Sequence, residues 1–151
     1  MREKLLAELI HELRGAQSAV DAVDEAACGA LGINRTDGRC LDVLAREGPM
    51  GASELARRSG LTTAAITLVL DRLERAGYAR RARHESDRRR VVVEATPLAA
   101  QRAQELYGPL ADEGTRELER YSDEALVLLR EFLRRERELN ERHAVRMRES
   151  A

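Results

Sequence analysis

Two short helical patterns joined by a tight turn are the feature that most constrains how this chain folds. The first spans Ser53–Arg58, and the second is capped by Thr62 or Thr63 and runs to about residue 76. Gly60 can adopt a positive φ in the turn, and Leu61 can fill the space between two helices that cross steeply. We therefore expect a helix-turn-helix supported by Ser53, Gly60 and Leu61.

A two-stranded hairpin is predicted directly after this motif. Strand patterns cover Tyr78–His84 and Arg90–Ala95, and the polar segment Glu85–Arg89 lies between them as a turn. A helix-turn-helix followed by such a hairpin, or wing, is a common arrangement in proteins that bind DNA. The major groove of B-DNA is about 12 Å wide and admits one α-helix, which the second helix of the motif would supply.

Long amphipathic helices are predicted on both sides of the winged motif. Apolar residues recur at three- and four-residue spacing over residues 2–30, and again in the last helix, which Ser122 is expected to cap. A further helix runs from Pro97 to about Tyr121, and one before the motif is capped by Asn34 or Thr36. The terminal helices are too long and too apolar on one face to be covered by a small winged domain. They therefore need another apolar surface to pack against, supplied either by an intramolecular bundle or by a second chain.

The charge of the chain is unevenly distributed. The formal net charge is −1, but residues 35–90 hold 13 arginines against eight acidic residues. A basic middle between acidic ends is what a nucleic-acid-binding region on a non-binding scaffold shows. The alternative is a solvated charged surface in a chain with a general preference for arginine.

The outer face of the second helix of the motif supplies the candidate DNA contacts. Short side chains near its beginning allow close approach to base edges, and arginines near its end can reach phosphates. The predicted contact residues are Thr62, Thr63, Ala64, Thr67, Leu68, Asp71, Arg72 and Arg75.

The hairpin supplies a second set of candidate contacts, since a basic wing tip can enter the minor groove. The predicted residues are Arg83, Asp87, Arg88, Arg89 and Arg90. We expect an ion pair between Asp87 and Arg89 to shape the turn, which leaves Arg88 to contact DNA. In the alternative, Asp87 only favours the turn through its own hydrogen bonds.

The segment from Ser53 to Thr96 resembles the MarR (multiple antibiotic resistance) family of transcriptional regulators. The resemblance is sharpest in LDRLERAG at 70–77 and in DRRRV at 87–91, and it extends over nearly the whole chain. It implies a mainly α fold with a small β wing, as a single domain over 1–151. The winged helix-turn-helix would occupy 34–96, and 2–30 and 98–147 would form dimerisation helices.

The resemblance also implies a homodimer that binds a palindromic operator in double-stranded DNA. We expect it to act as a repressor that occludes a promoter. One departure concerns Leu68, where members of the family often carry a basic residue. Leucine can contact a thymine methyl group but cannot donate a hydrogen bond to guanine.

A small-molecule effector is a further implication of the resemblance. Its pocket is expected at His11, Arg14, Cys40 and Tyr107. Two other functions remain open: a redox-responsive regulator that uses Cys28 or Cys40, and a winged helix that binds another protein instead of DNA. A steep dependence of affinity on salt would favour DNA, because phosphate contacts release counterions.

Several functional classes receive no support from the residues. No apolar run is long enough to span a membrane, and the N-terminus lacks the pattern of a signal peptide, so we expect a cytoplasmic protein. The three histidines share no metal-ligand spacing. No set of nucleophile and base and no glycine-rich phosphate loop is visible, which predicts a protein without enzymatic activity, metal or cofactor.

Overall fold

The computed structural model describes residues 1–83, 86 and 91–150. Within this part the chain is mainly helical with one two-stranded antiparallel sheet, as predicted. The elements in chain order are α1 (Arg2–Leu31), α2 (Arg35–Glu47), α3 (Ala52–Ser59), α4 (Thr63–Arg75), β1 (Ala79–Arg83), β2 (Val91–Ala95), α5 (Pro97–Leu118) and α6 (Asp123–Glu149).

The chain divides into two compact units, Met1–Leu106 and Tyr107–Ala151. The first contains α1 to α4, the sheet and the beginning of α5, and the second contains the rest of α5 and α6. The organisation of residues 1–151 as a single domain stays a prediction.

Side-chain caps fix where three of the helices begin. The side chain of Asn34 accepts a hydrogen bond from the backbone N–H of Asp37 at 2.9 Å, so Asn34 caps α2 and Thr36 lies inside the helix. Thr62 caps α4 in the same way through Ala65, and Ser122 caps α6. The caps at Asn34, Thr62 and Ser122 are among those that the sequence predicts.

The main hydrophobic core lies where α2, α3, α4 and the sheet meet. The inner face of α4 is buried, as its periodicity predicts, and it packs against apolar residues of α2 and α3. The buried members are Cys40, Val43, Leu44, Leu55, Ala56, Ile66, Val69, Leu70, Leu73, Tyr78, Ala79, Val93 and Ala99. This core positions α4 with its other face toward solvent.

The two strands of the sheet pair antiparallel, with Ala79 opposite Ala95 and Arg83 opposite Val91. Met50, in the connection between α2 and α3, exchanges backbone hydrogen bonds with Val93 at 3.1 and 2.7 Å. The sheet is thereby attached to the helix-turn-helix at its base.

Two helix boundaries differ from the sequence prediction. Helix α3 begins at Ala52 with Gly51 as its N-cap, whereas the sequence predicts that Ser53 opens it. Ser53 lies in the first turn and is exposed, because the burial of Leu55 and Ala56 sets the rotation of the helix. Helix α5 ends at Leu118, before the predicted position near Tyr121, since Ser122 takes the extended backbone that caps α6.

None of the helices in the described part of the chain is both long enough and apolar enough to cross a membrane.

Candidate nucleic-acid interface

The turn between α3 and α4 has the geometry that its sequence predicts. Gly60 adopts a left-handed backbone with φ 67° and ψ 33°, a conformation that favours glycine. The backbone N–H of Leu61 donates to the carbonyl oxygen of Ala56 at 2.8 Å, and the Leu61 side chain packs against the core. These contacts fix the direction in which α4 leaves α3.

One face of α4 is left open by this arrangement. The exposed residues that follow the Thr62 cap are Thr63, Ala64, Thr67, Leu68, Asp71 and Arg75. Leu68 has 60% of its surface exposed, a large fraction for a leucine on a well-packed helix. The hydroxyl of Thr67 donates to the carbonyl oxygen of Thr63 at 3.1 Å. The early part of this face therefore carries short side chains and one exposed leucine, with no charged residue.

Arg72 makes a different contact from its neighbours on α4. Its Nη2 lies 2.6 Å from Oδ1 of Asp37, and its Nε lies 2.9 Å from Oδ2. Asp37 is 1% exposed, so the guanidinium neutralises a carboxylate that is buried beneath it. The hydrogen bond with Asp37 raises the pKa of Arg72 above its ordinary value. In this structure Arg72 fastens α4 to the start of α2, and its role as a DNA contact stays a prediction.

Asp37 is the residue of this site that the sequence reasoning missed. It lies in the first turn of α2, where acidic residues are common because their negative charge interacts favourably with the positive end of the helix dipole. Nothing local distinguishes it from such a residue, since its partner is 35 positions away. A repeated acid–arginine pairing in many related sequences would be the signal that reveals it.

The basic residues that enter the wing are partly neutralised by acids. Arg80 Nε lies 2.6 Å from a carboxylate oxygen of Glu94 on the opposing strand. Arg81 forms an ion pair with Glu74 and lies 3.5 Å from Asp71, both on α4. The pairs of Arg81 join the wing to α4, whereas the pair of Arg80 lies within the sheet. Together they leave less positive charge at the base of the wing than the arginine count indicates.

The predicted contacts at the tip of the wing fall mostly outside the described residues. Arg83 ends β1 and is exposed. The predictions for Asp87, Arg88, Arg89 and Arg90, including the ion pair between Asp87 and Arg89, concern residues beyond those that the structure describes.

Both cysteines are buried free thiols. The Cys40 Sγ donates to the hydroxyl oxygen of Ser59 at 3.4 Å, and Cys28 lies at the end of α1. Burial raises the pKa of each thiol above its ordinary value. A buried, protonated thiol is a poor nucleophile toward peroxides, which disfavours the redox-responsive alternative.

The four residues of the predicted effector pocket lie in different environments. His11 and Arg14 are exposed on α1, whereas Cys40 is fully buried in the core of the first unit. Tyr107 is half-buried and belongs to the second unit. The effector pocket stays a prediction. Among the described residues, no three His, Cys, Asp or Glu side chains come together as ligands for a metal ion.

Comparison with known proteins supplies the family. A family model described as the MarR family matches residues 33–91, which include the whole helix-turn-helix and the start of β2. The uncharacterized HTH-type transcriptional regulator YcgE of Bacillus subtilis is 34% identical over 125 residues, which are 83% of this chain and 81% of that protein.

Two further proteins support the same assignment. The HTH-type transcriptional repressor YetL of Bacillus subtilis is 34% identical over 80 residues, covering 53% of this chain and 48% of that protein. A solved MarR family protein from Bacillus stearothermophilus superimposes with a TM-score of 0.70 at 24% identity, over 93% of this chain and 99% of that one. The sequence match with YcgE extends well beyond the winged region. The structural match covers nearly the whole chain and shows the same fold. The chain therefore belongs to the MarR family and is a DNA-binding transcriptional regulator.

Proposed function

We propose that this regulator is a homodimer that binds a palindromic operator and represses transcription by occluding the promoter. The observation that carries the proposal is the set of apolar side chains left exposed on the first and last helices. Helix α6 includes no buried residue over its whole length, and α1 buries only Ala27 and Cys28.

The exposed apolar side chains recur along both helices. Each is between 37% and 70% exposed, and together they far exceed the scattered apolar residues of an ordinary surface. They are Leu5, Leu6, Leu9, Ile10, Val20 and Val23 on α1, and Val127, Leu128, Leu129, Leu133, Leu139, Val145 and Met147 on α6. A second copy of the chain would remove them from water in a symmetric interface, in which the same surface is used twice.

A dimer places two copies of α4 on one DNA duplex. When two recognition helices enter successive major grooves, their half-sites lie about 34–36 Å apart and are related by a twofold axis. The exposed face of α4 and the excess of arginine over residues 35–90 support this mode of binding. Repression is supported by the name of the relative YetL, and occlusion of a promoter requires nothing of the protein beyond tight binding.

The proposal is tested by selecting duplexes from a random pool and titrating the selected sequences by fluorescence anisotropy at two salt concentrations. We expect palindromic sequences to be enriched and bound with a steep loss of affinity as salt increases. Arg88→Ala, at the wing tip predicted from the sequence, should lower the salt slope by about one for each phosphate that the variant no longer neutralises. Arg120→Ala, an exposed arginine between α5 and α6, serves as the matched control and should leave the slope unchanged.

Two results would overturn the proposal. Enrichment of sequences without twofold symmetry would contradict a dimer that reads two half-sites. A sedimentation experiment that finds only monomers at the concentrations used for binding would contradict the homodimer. Repression itself is checked by placing the selected operator across a promoter, where added protein should lower transcription in vitro.

A further inference from the structure

We propose that Leu68 reads a thymine in each operator half-site through contact with the C5-methyl group of that base. The inference rests on the proposed operator binding and deepens it, since it names the base that α4 selects. In the major groove only thymine among the four bases presents a methyl group, so an apolar side chain can distinguish it.

The position of Leu68 on α4 is suited to base contact. It lies in the second turn, on the exposed face, with 60% of its surface accessible. The N-terminal residues of a recognition helix are the ones that contact base edges in helix-turn-helix proteins. Ala64, one turn earlier on the same face, is small and allows the helix to approach the bases closely.

The same part of the helix has no side chain of the types that form paired hydrogen bonds with guanine or adenine. Residues 62–69, all described by the structure, include no arginine, lysine, asparagine or glutamine. The hydroxyl hydrogen of Thr67 is directed to the backbone carbonyl of Thr63. The bidentate hydrogen bonds that specify guanine and adenine are therefore not available from the first two turns of α4.

The two arginines of α4 are also poorly placed to form such hydrogen bonds with the bases near Leu68. The guanidinium of Arg72 is held by the buried Asp37, at 2.6 and 2.9 Å. Arg75 lies seven residues after Leu68, which is about 10 Å farther along the helix axis. Its Nε donates to the backbone carbonyl of Asp71. Near the end of the helix, Arg75 is placed for the phosphate backbone more readily than for the bases that Leu68 faces.

The experiment removes only the methyl group from the DNA. In a selected operator duplex, each symmetric pair of thymines is replaced in turn by deoxyuridine, which keeps every hydrogen-bonding group of the base. We expect one symmetric pair to be sensitive, with a loss of about fourfold in affinity per half-site from the burial of one methyl group. With both half-sites changed, the loss should be about fifteenfold for the dimer.

Variants of Leu68 connect that sensitivity to the side chain. Leu68→Ala should bind the thymine and uracil duplexes equally at the sensitive position, while Leu68→Met, which keeps an apolar side chain of similar reach, should retain the preference. Leu68→Arg should change the preferred base at that position to guanine. Since Leu68 is exposed, its variants should unfold at the same temperature as the wild type, which is measured alongside.

The outcomes separate this inference from the proposed operator binding. Failure to enrich any duplex would overturn the operator binding. Enrichment without a uracil-sensitive thymine would overturn the role of Leu68 alone, and so would a uracil penalty that persists in Leu68→Ala. Loss of the penalty in Leu68→Ala, with the penalty retained in Leu68→Met, would establish it.

Discussion

The winged region and the last helix differ in how completely each buries its own apolar residues. In the winged region, α2, α3, α4 and the sheet share with the start of α5 one cluster of 13 buried apolar residues, and six of its members are at most 1% exposed. In α6 no residue is buried, although leucine and valine recur along it. The winged region buries its apolar residues within the chain itself, whereas α6 leaves its apolar residues exposed, as in a surface that binds another molecule.

Polar groups show the same contrast. The buried Asp37 of the winged region is paired with an arginine from another helix. The ion pairs of α6 join residues within the helix, such as Arg134 and Glu131, and both partners are accessible to water. Exposed pairs of this kind contribute little to stability, whereas removing one partner of a pair with a buried member costs more, because the other charge is left buried without compensation. The difference agrees with a winged region of fixed shape and with the proposed role of α6 in a dimer.

The largest effect is expected from a substitution on α6. Leu133→Asp places a charge on its apolar face, and a symmetric dimer bears that charge twice at one interface. We expect the dissociation constant of the dimer to increase by about two orders of magnitude or more, with the winged region still folded. Sedimentation equilibrium measures the constant, and Arg57→Asp, which reverses an exposed charge on α3 outside the terminal helices, is the control. An unchanged constant for Leu133→Asp would mean that this face of α6 is not the interface.

The next effect concerns the attachment of α4. Arg72→Ala leaves the Asp37 carboxylate buried without its partner, and should lower the free energy of unfolding by about 2 kcal/mol. Arg72 is itself 39% exposed at the side chain, so the loss should be smaller than for a fully buried pair. Chemical denaturation at one protein concentration provides the measurement.

A control and a partial rescue sharpen this prediction. Arg57→Ala removes an exposed pair with Glu54 and should change stability by less than about 0.5 kcal/mol. Adding Asp37→Asn to Arg72→Ala should recover part of the loss, because the amide carries no charge. If Arg72→Ala were as stable as Arg57→Ala, the pair with Asp37 would not fix α4.

A smaller loss of stability is expected when the contact between α1 and α2 is disturbed. A Cβ added at Gly38 would lie 2.5 Å from Sγ of Cys28, so Gly38→Ala forces the two helices apart. We expect a loss of about 1–2 kcal/mol in the free energy of unfolding, as for other overpacked sites. Gly29→Ala on α1 is the matched control, because nothing lies within 4 Å of its added Cβ and alanine favours the helix. Cys28→Ala combined with Gly38→Ala should reverse the loss, and failure to do so would show that the sulfur is not the obstacle.

The smallest effect is expected for the thiols. Burial raises the pKa of Cys28 and of Cys40, so both thiols stay protonated at neutral pH. They should react with a disulfide reagent only after unfolding, and peroxide should leave DNA affinity unchanged. Their neutral state favours folding up to the ordinary thiol pKa, and this contribution declines as the pH rises further. A peroxide response that disappears in the Cys28→Ser, Cys40→Ser double variant would instead restore the redox-responsive alternative.

The sequence alone determined the elements of the winged region. The inner face of α4 follows from the spacing of its apolar residues, and the left-handed turn follows from Gly60, because both are local properties of the chain. The resemblance to the MarR family is likewise visible in 70–77 and 87–91, as short motifs placed within the predicted elements. From the sequence, either Asn34 or Thr36 could cap the start of α2, and in the structure the capping residue is Asn34.

The tertiary structure decided which side chains remain available for DNA. Arg72 and Arg75 are equivalent in the sequence as arginines near the end of α4, yet the first is bound to Asp37 and the second is exposed. The contact of Gly38 with Cys28 is equally invisible in the sequence. Both depend on how helices cross after they have formed. A periodic pattern shows which face of a helix is buried, but it does not contain the distance between residues on different helices.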